Sequence, residues 1–166
     1  MVSAKEGSEQ MMRIGHGFDS HGYISDPDRP LILGGVTFES EYALAGHSDS
    51  DVVIHACMDS LLSPAGLGDI GTLFPDSDPE YLNADSLQLL RHVVELLTKE
   101  GWDIVNIDCS IIAEVPKIQS NRTLMESNIS EVVQAPVTLK GKTSEGLTAF
   151  NGIACFAVCL LSKSDG

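Results

Sequence analysis

Residues 86–111 read SLQLLRHVVELLTKEGWDIVNIDCSI, and two hydrophobic periods meet inside that stretch. Leu87, Leu90, Val94 and Leu97 recur at intervals of three and four, the spacing of one buried helix face, so a helix is expected over residues 86–100. From Ile104 the period becomes two. Val105, Ile107, Cys109 and Ile111 are expected to face inward while Asn106, Asp108 and Ser110 face out, as in a strand with one covered side. That strand ends at Val115-Pro116.

Working outward, the same two periods recur in mixed order. Residues 13–18 read as a short strand running into Asp19 and His21, and LILGGVTF (31–38) as a strand pair turning at Gly34-Gly35. Ser48 and Asp51 look like the N-cap and N3 of a helix that buries Val52, Ala56, Leu61 and Leu62 and stops at Pro64. A further helix fits 121–133 and a strand 137–142. Residues 152–161 are apolar throughout; their bulky and β-branched content favours a central strand. Strands and helices so interleaved predict a two-layer α/β (α+β) sandwich, a mixed sheet with helices packed on one face. Residues 1–12 are polar and small, expected to be a disordered tail, which leaves one domain over 13–166.

Composition narrows the function. A formal net charge of -14 argues against nucleic acid, whose phosphates would be repelled. The apolar run at 152–161 is too short to span a bilayer. Cys57, Cys109, Cys155 and Cys159 form no CxxC pair and read as free core thiols in a reducing compartment, which points to the cytoplasm. A phosphorylated small molecule remains admissible if metal ions, a few lysines and a helix N-terminus supply local positive charge.

The chemistry-bearing residues concentrate early. Asp19 and His21, two apart on an extended segment, point the same way, and His55 joins them from the first helix. One carboxylate and two imidazoles are a set that zinc accepts with a fourth position left open. A turn Asp beside a solvated His is the plainer reading of the pair. Asp51, His55 and Asp59 form a polar stripe that a solvated helix face also explains. With His47 just before the N-cap, the density of imidazoles and carboxylates at one helix end exceeds what solvation needs.

Five segments, in order, carry a resemblance. IGHGFDSH (14–21), AGHSDSDVVIH (45–55), LGDIGTLFPDSDP (67–79), AEVPK (113–117) and KGKTSE (140–145) resemble the motifs of the 2-C-methyl-D-erythritol 2,4-cyclodiphosphate synthase family. The resemblance implies zinc on Asp19, His21 and His55, and magnesium or manganese on Glu145. It implies that His47 and Ser48 hold the sugar-alcohol phosphate and that Asp59 sits by the zinc-bearing helix face to orient an imidazole. By the same route Asp69 and Gly71 contact the ribose, Asp76 lies near the erythritol, Ala113 and Lys117 form the cytidine pocket, and Thr143 touches a phosphate. It also implies a homotrimer with active sites between subunits. The implied reaction is attack of the substrate's own 2-phosphate on its β-phosphorus with loss of CMP, so no protein nucleophile is required. Without the resemblance, Asp69, Gly71, Asp76 and Asp78 would read as turn formers, and Glu145 as a surface charge.

The chain departs from the family at GLTAFNGI (146–153), where relatives carry a Gly-Arg-Gly-Glu-Gly stretch lining a cavity on the trimer axis. Lys142 likewise replaces a commoner small polar residue. A zinc-dependent phosphohydrolase, in which water attacks, and a non-catalytic cytidine-nucleotide-binding protein of the same fold are the competing readings.

Overall fold

The structure, a computed structural model, describes residues 10–146 and 151–164. Its centre is a five-stranded sheet in the order β4-β1-β7-β5-β6, formed by β1 (Gln10–Ile24), β4 (Ala43–Leu44), β5 (Asp103–Ala113), β6 (Val137–Lys142) and β7 (Gly152–Ser164). Only β5 and β6 run parallel. The strand expected over 152–161 is indeed central, with β1 on one side and β5 on the other. Its helix-facing residues Cys155, Ala157, Cys159 and Leu161 are buried, while Phe156 and Val158 carry the apolar run onto the uncovered face, where they are exposed.

The helices lie on one face. α1 (Val52–Ala65) packs across β1 and β7, α3 (Ser86–Lys99) packs on α1, and α4 (Arg122–Val133) packs on α3 and β6. The sandwich with helices on one side of a mixed sheet is therefore the architecture. Two glycines set how closely α1 approaches the sheet. A Cβ on Gly15 would lie 1.8 Å from the Ser60 carbonyl oxygen, and one on Gly17 would lie 2.0 Å from that of Ala56. Helix backbone thus rests directly on strand backbone. All four cysteines are free and buried, as expected for core thiols.

Several details differ from the sequence reading. Gln10–Met12, assigned to the tail, belong to β1, because β7 extends far enough to pair with them through Ser164, Lys163 and Ser162; residues 1–9 lie outside the described residues. Ser48 does not cap α1. Ser50 adopts a left-handed φ of 59°, which breaks any helix through 48–51. The cap is Asp51, whose buried carboxylate accepts from Val53 and Ile54 N–H at 3.1 and 3.2 Å and from Gly34 and Gly35 N–H at 2.9 and 2.7 Å. One side chain therefore fastens α1 to the turn between β2 (Leu31–Leu33) and β3 (Val36–Phe38).

Pro64 does not end α1. The helix runs to Ala65 and closes at Gly66 in the left-handed region. Pro64 instead withholds an N–H from the Ser60 carbonyl, which accepts from Cys159 Sγ at 2.9 Å. Finally, Val105 faces solvent rather than the core, since a bulge between Ile104 and Asn106 shifts the alternation; Ile107, Cys109 and Ile111 are buried as expected. The segment 65–82 holds a short helix α2 (Ile70–Leu73) and a 3₁₀ turn (Pro79–Tyr81), started by Asp69 and Asp78 side chains.

Candidate metal centre and a second cleft

Asp19 and His21 stand on the helix-facing side of β1, and His55 meets them from the first turn of α1. Asp19 Oδ2 lies 2.9 Å from His21 Nε2 and 3.0 Å from His55 Nδ1, and the two imidazole nitrogens are 3.3 Å apart. Donors about 2.0–2.1 Å from a tetrahedral cation sit roughly 3.3 Å from one another. The observed triangle matches that size with slight contraction, and its three donor atoms converge on one point. A divalent cation fits.

The electrostatics agree. Burial favours the neutral acid at Asp19, but hydrogen bonds and charge from His21 and His55 outweigh it and hold the carboxyl well below the usual carboxylate range. Burial likewise disfavours an imidazolium at His55; the bond to Asp19 and its charge, with Asp51 and Asp49 behind, raise its pKa instead. Negative charge is thus concentrated where a cation would sit.

The triangle opens into a cavity of about 250 Å³ that also takes in His47, Ser48, Gly71 and Asp76, walled by Met58, Ile70, Phe74, Tyr81 and Leu89. His47 and Ser48 lie on the loop before α1. That loop is held by Arg29, whose guanidinium donates to the Ser48 carbonyl and, at 2.6 Å, to Ser50 Oγ. It is also tied to the following segment, because Asn83 N–H donates to the His47 carbonyl at 2.9 Å and Asp49 N–H to that of Ala84 at 3.1 Å.

A second cleft, of about 400 Å³, gathers Ala113, Lys117, Lys142, Thr143 and Glu145 with Pro116, Ile118 and Gln119. Its rim is fixed by Glu114, which accepts from Ser144 N–H at 2.7 Å and Ser144 Oγ at 2.6 Å. Thr143 Oγ1 donates to Glu145. The two cavities share no lining residue.

Two of the sequence-derived residues stand apart from both. Asp59 does not touch an imidazole: its Oδ1 accepts from Ile70 N–H at 2.9 Å and holds the segment carrying Ile70 and Gly71. Burial raises its pKa, with that N–H opposing. Asp69 is exposed and starts α2, accepting from Thr72 N–H at 2.7 Å. The apolar walls Phe74 and Tyr81, and Arg29, escaped the sequence reading. Phe74 and Tyr81 sit in a glycine- and proline-rich segment with no period to flag them, and Arg29 acts from a loop 19 residues before Ser48. Of the departing stretch GLTAFNGI, residues 147–150 lie outside the described residues.

Comparison with known proteins adds weight to this geometry. The model of the YgbB family matches residues 12–162. A Clostridium botulinum (strain Kyoto / Type A2) protein named 2-C-methyl-D-erythritol 2,4-cyclodiphosphate synthase is 48% identical over 156 residues, 90% of this chain and 99% of that one. Its namesake from Clostridioides difficile (strain 630) is 49% identical over 156 residues, 90% of this chain and 96% of its own. A solved structure of Plasmodium falciparum IspF in complex with CDP superposes with a TM-score of 0.79 at 37% identity, covering 93% of this chain and 97% of that one.

Proposed function

The chain belongs to the YgbB family, and from that membership we propose that it converts 4-diphosphocytidyl-2-C-methyl-D-erythritol 2-phosphate to 2-C-methyl-D-erythritol 2,4-cyclodiphosphate with release of CMP. The observation that carries this reading is the convergence of Asp19, His21 and His55 on one point at the mouth of a cavity that also holds His47 and Ser48. The relatives' name and the CDP bound to IspF support a cytidine-diphosphate-linked substrate.

The reaction joins two anionic groups of one molecule, so alignment and charge are the obstacles. An oxygen of the 2-phosphate forms a bond to the β-phosphorus, and the bond from that phosphorus to the CMP oxygen breaks. Ser48 and His47, on a loop held by Arg29, would keep the 2-phosphate in line. Lys117 and Lys142 bring positive charge to the second cleft, where Ala113 and Lys117 would receive the cytosine and Thr143 a phosphate. In this reading Asp19, His21 and His55 hold zinc and Glu145 holds magnesium or manganese, cations that neutralise the diphosphate and polarise its phosphorus when bound. Asp76 would line the erythritol end, with Gly71 and Asp69 toward the ribose; Asp59 serves the site by fixing the Ile70–Gly71 backbone.

Two half-sites with no common lining residue support a reading in which a neighbouring copy completes the site. Ile14, 76% exposed, lies with Met12, Phe18, Phe156 and Val158 on the sheet face that no helix covers. An apolar face of that kind supports burial against other copies, and a homotrimer would bring the cytidine cleft of one subunit to the cation cavity of the next. No helix among the described residues is long and apolar enough to cross a membrane, which is compatible with a cytoplasmic biosynthetic enzyme.

The full chain, incubated with the diphosphocytidyl substrate and divalent cations, is expected to release CMP and a cyclic diphosphate in equal amounts, followed by ³¹P NMR. A linear phosphate would identify water as the attacking group and overturn the cyclase reading. His55→Ala is expected to lose both zinc and turnover; retention of both would remove the ligand assignment.

A further inference from the structure

His55 has two ring nitrogens, and only one faces the other donors. Nδ1 points at Asp19 Oδ2 and His21 Nε2; Nε2 points the other way, 3.0 Å from Ser86 Oγ and 3.1 Å from Ser48 Oγ. A cation ligand needs the lone pair on Nδ1, so the proton must reside on Nε2. What sets that choice lies one and two bonds further on.

Ser86, at the start of α3, is fully buried. Its hydroxyl donates to Asp49 Oδ1 at 2.5 Å, and its N–H donates to Asp49 Oδ2 at 2.9 Å. Asp51 N–H adds a third donor to the same carboxylate at 3.1 Å. A carboxylate only accepts, so the Ser86 hydroxyl hydrogen is committed to Asp49 and only its lone pairs remain for His55. Ser48 Oγ accepts from Ser50 N–H at 3.2 Å, which leaves its own hydrogen uncommitted, so Ser48 can serve either tautomer and Ser86 is the contact that decides. Toward Ser86, His55 Nε2 can only donate.

We propose that Asp49, acting through Ser86, is a positioning device that fixes the tautomer and aim of His55 and thereby sets the affinity of the cation site. The inference rests on the reading of Asp19, His21 and His55 as cation ligands. It adds two residues outside the cavity wall, in an arrangement where a carboxylate orients a hydroxyl and the hydroxyl orients the imidazole. Asp49 also ties the start of α3 to the loop before α1, a purely structural job that the test must separate.

Ser86→Ala keeps the Ser86 N–H bond to Asp49 and deletes only the hydroxyl. Asp49→Asn keeps the size of the side chain but supplies an NH₂ that donates to Ser86 Oγ, which frees the hydroxyl hydrogen to turn toward His55 Nε2 and favours the wrong tautomer. Zinc-stripped full-length protein is titrated with zinc against a chromophoric chelator, and unfolding of the zinc-free form is followed in parallel. Each variant is expected to bind zinc roughly 10–100-fold more weakly than wild type. The double variant is expected to lose no more than the worse single one, because Asp49 acts through Ser86. Zinc affinities within twofold of wild type, or losses that multiply in the double variant, overturn the relay even if zinc-free stability falls. The Asp49→Asn arm stands alone if Ser86→Ala does not fold. A wild-type chain that binds no zinc fails differently, since it removes the premise and the relay together.

Discussion

Replacing Gly17 by alanine tests whether the cation site is set by backbone contact between β1 and α1. The added Cβ would lie 2.0 Å from the Ala56 carbonyl oxygen and 2.7 Å from the Ser60 nitrogen. Both are main-chain atoms inside α1, so no side chain can swing aside. An ordinary carbon–oxygen contact of roughly 3.3 Å demands that strand and helix separate by roughly 1.3 Å. His55 precedes Ala56 on the helix, and Asp19 follows Gly17 on the same face of the strand, so the separation falls directly on the 3.0 Å spacing of Asp19 Oδ2 and His55 Nδ1. Overpacking of this kind costs about 1–3 kcal/mol, and a displacement near 1 Å at a reacting centre lowers turnover by about 100-fold. Denaturant unfolding and CMP release measure the two effects. Gly22→Ala is the control on the same strand, because its nearest contact would be Asn151 O at 3.7 Å; it is expected to behave as wild type. A Gly17→Ala protein that unfolds and turns over like Gly22→Ala would refute the reasoning.

Arg29→Ala removes the guanidinium that holds the Ser48 carbonyl and Ser50 Oγ, so the loop carrying His47 and Ser48 loosens; KM for the substrate is expected to rise about 10-fold, on the order of two such hydrogen bonds, with bound-metal content unchanged, and steady-state kinetics with metal analysis decide it. The metal-free protein has its own pH signature. Asp19 titrates in the folded state below its ordinary value of 3.8, so its contribution is present above that value and lost as pH falls through the folded pKa. His55 titrates above its ordinary 6.5, so its contribution is complete below 6.5 and lost as pH rises through the raised pKa. Unfolding of the metal-free chain should therefore show the pair's stabilisation between those two ordinary values and a decline above 6.5 that Asp19→Asn abolishes; an equal decline in that variant would assign the effect elsewhere.

What could be read in advance follows the range of the interactions involved. The helix at 86–99 and the strands around Ile107 and Gly152 are written in local periods that packing on one face enforces, and they were legible. The start of α1 was not. Asp51 caps it because Gly34 and Gly35, 17 and 16 residues upstream, bring two further N–H groups to the same carboxylate, and Ser50 turns left-handed in a loop held by Arg29. Neither cause is local. Asp19, His21 and His55 were found because ligand chemistry limits which residue types can serve, and β1 and α1 each present their donors in regular spacing. Asp49 and Ser86 were invisible: a serine at the start of a helix is expected as a helix-end residue, and nothing in the sequence says that its hydroxyl faces an imidazole 31 positions earlier.

The same hydrogen bonds explain how so acidic a chain can accommodate a polyphosphate. Its net charge of -14 would repel one if the carboxylates lay open around the cavity. Many instead face backbone N–H groups. Asp51, Asp69, Asp78 and Asp85 start α1, α2, the 3₁₀ turn and α3, Asp59 takes Ile70 N–H, and Asp49 takes Ser86 and Asp51 N–H. Each such carboxylate is satisfied by partial positive charge and aimed along a helix end rather than into the cavity. Among the described residues, only Asp19 and Asp76 bring carboxylates to the cavity wall, and Asp19 does so beside two imidazoles that complete a cation site. Part of the acidity of this chain is thus structural, fastening short elements together, while Asp19 stands in the cavity where a metal ion can reverse its sign.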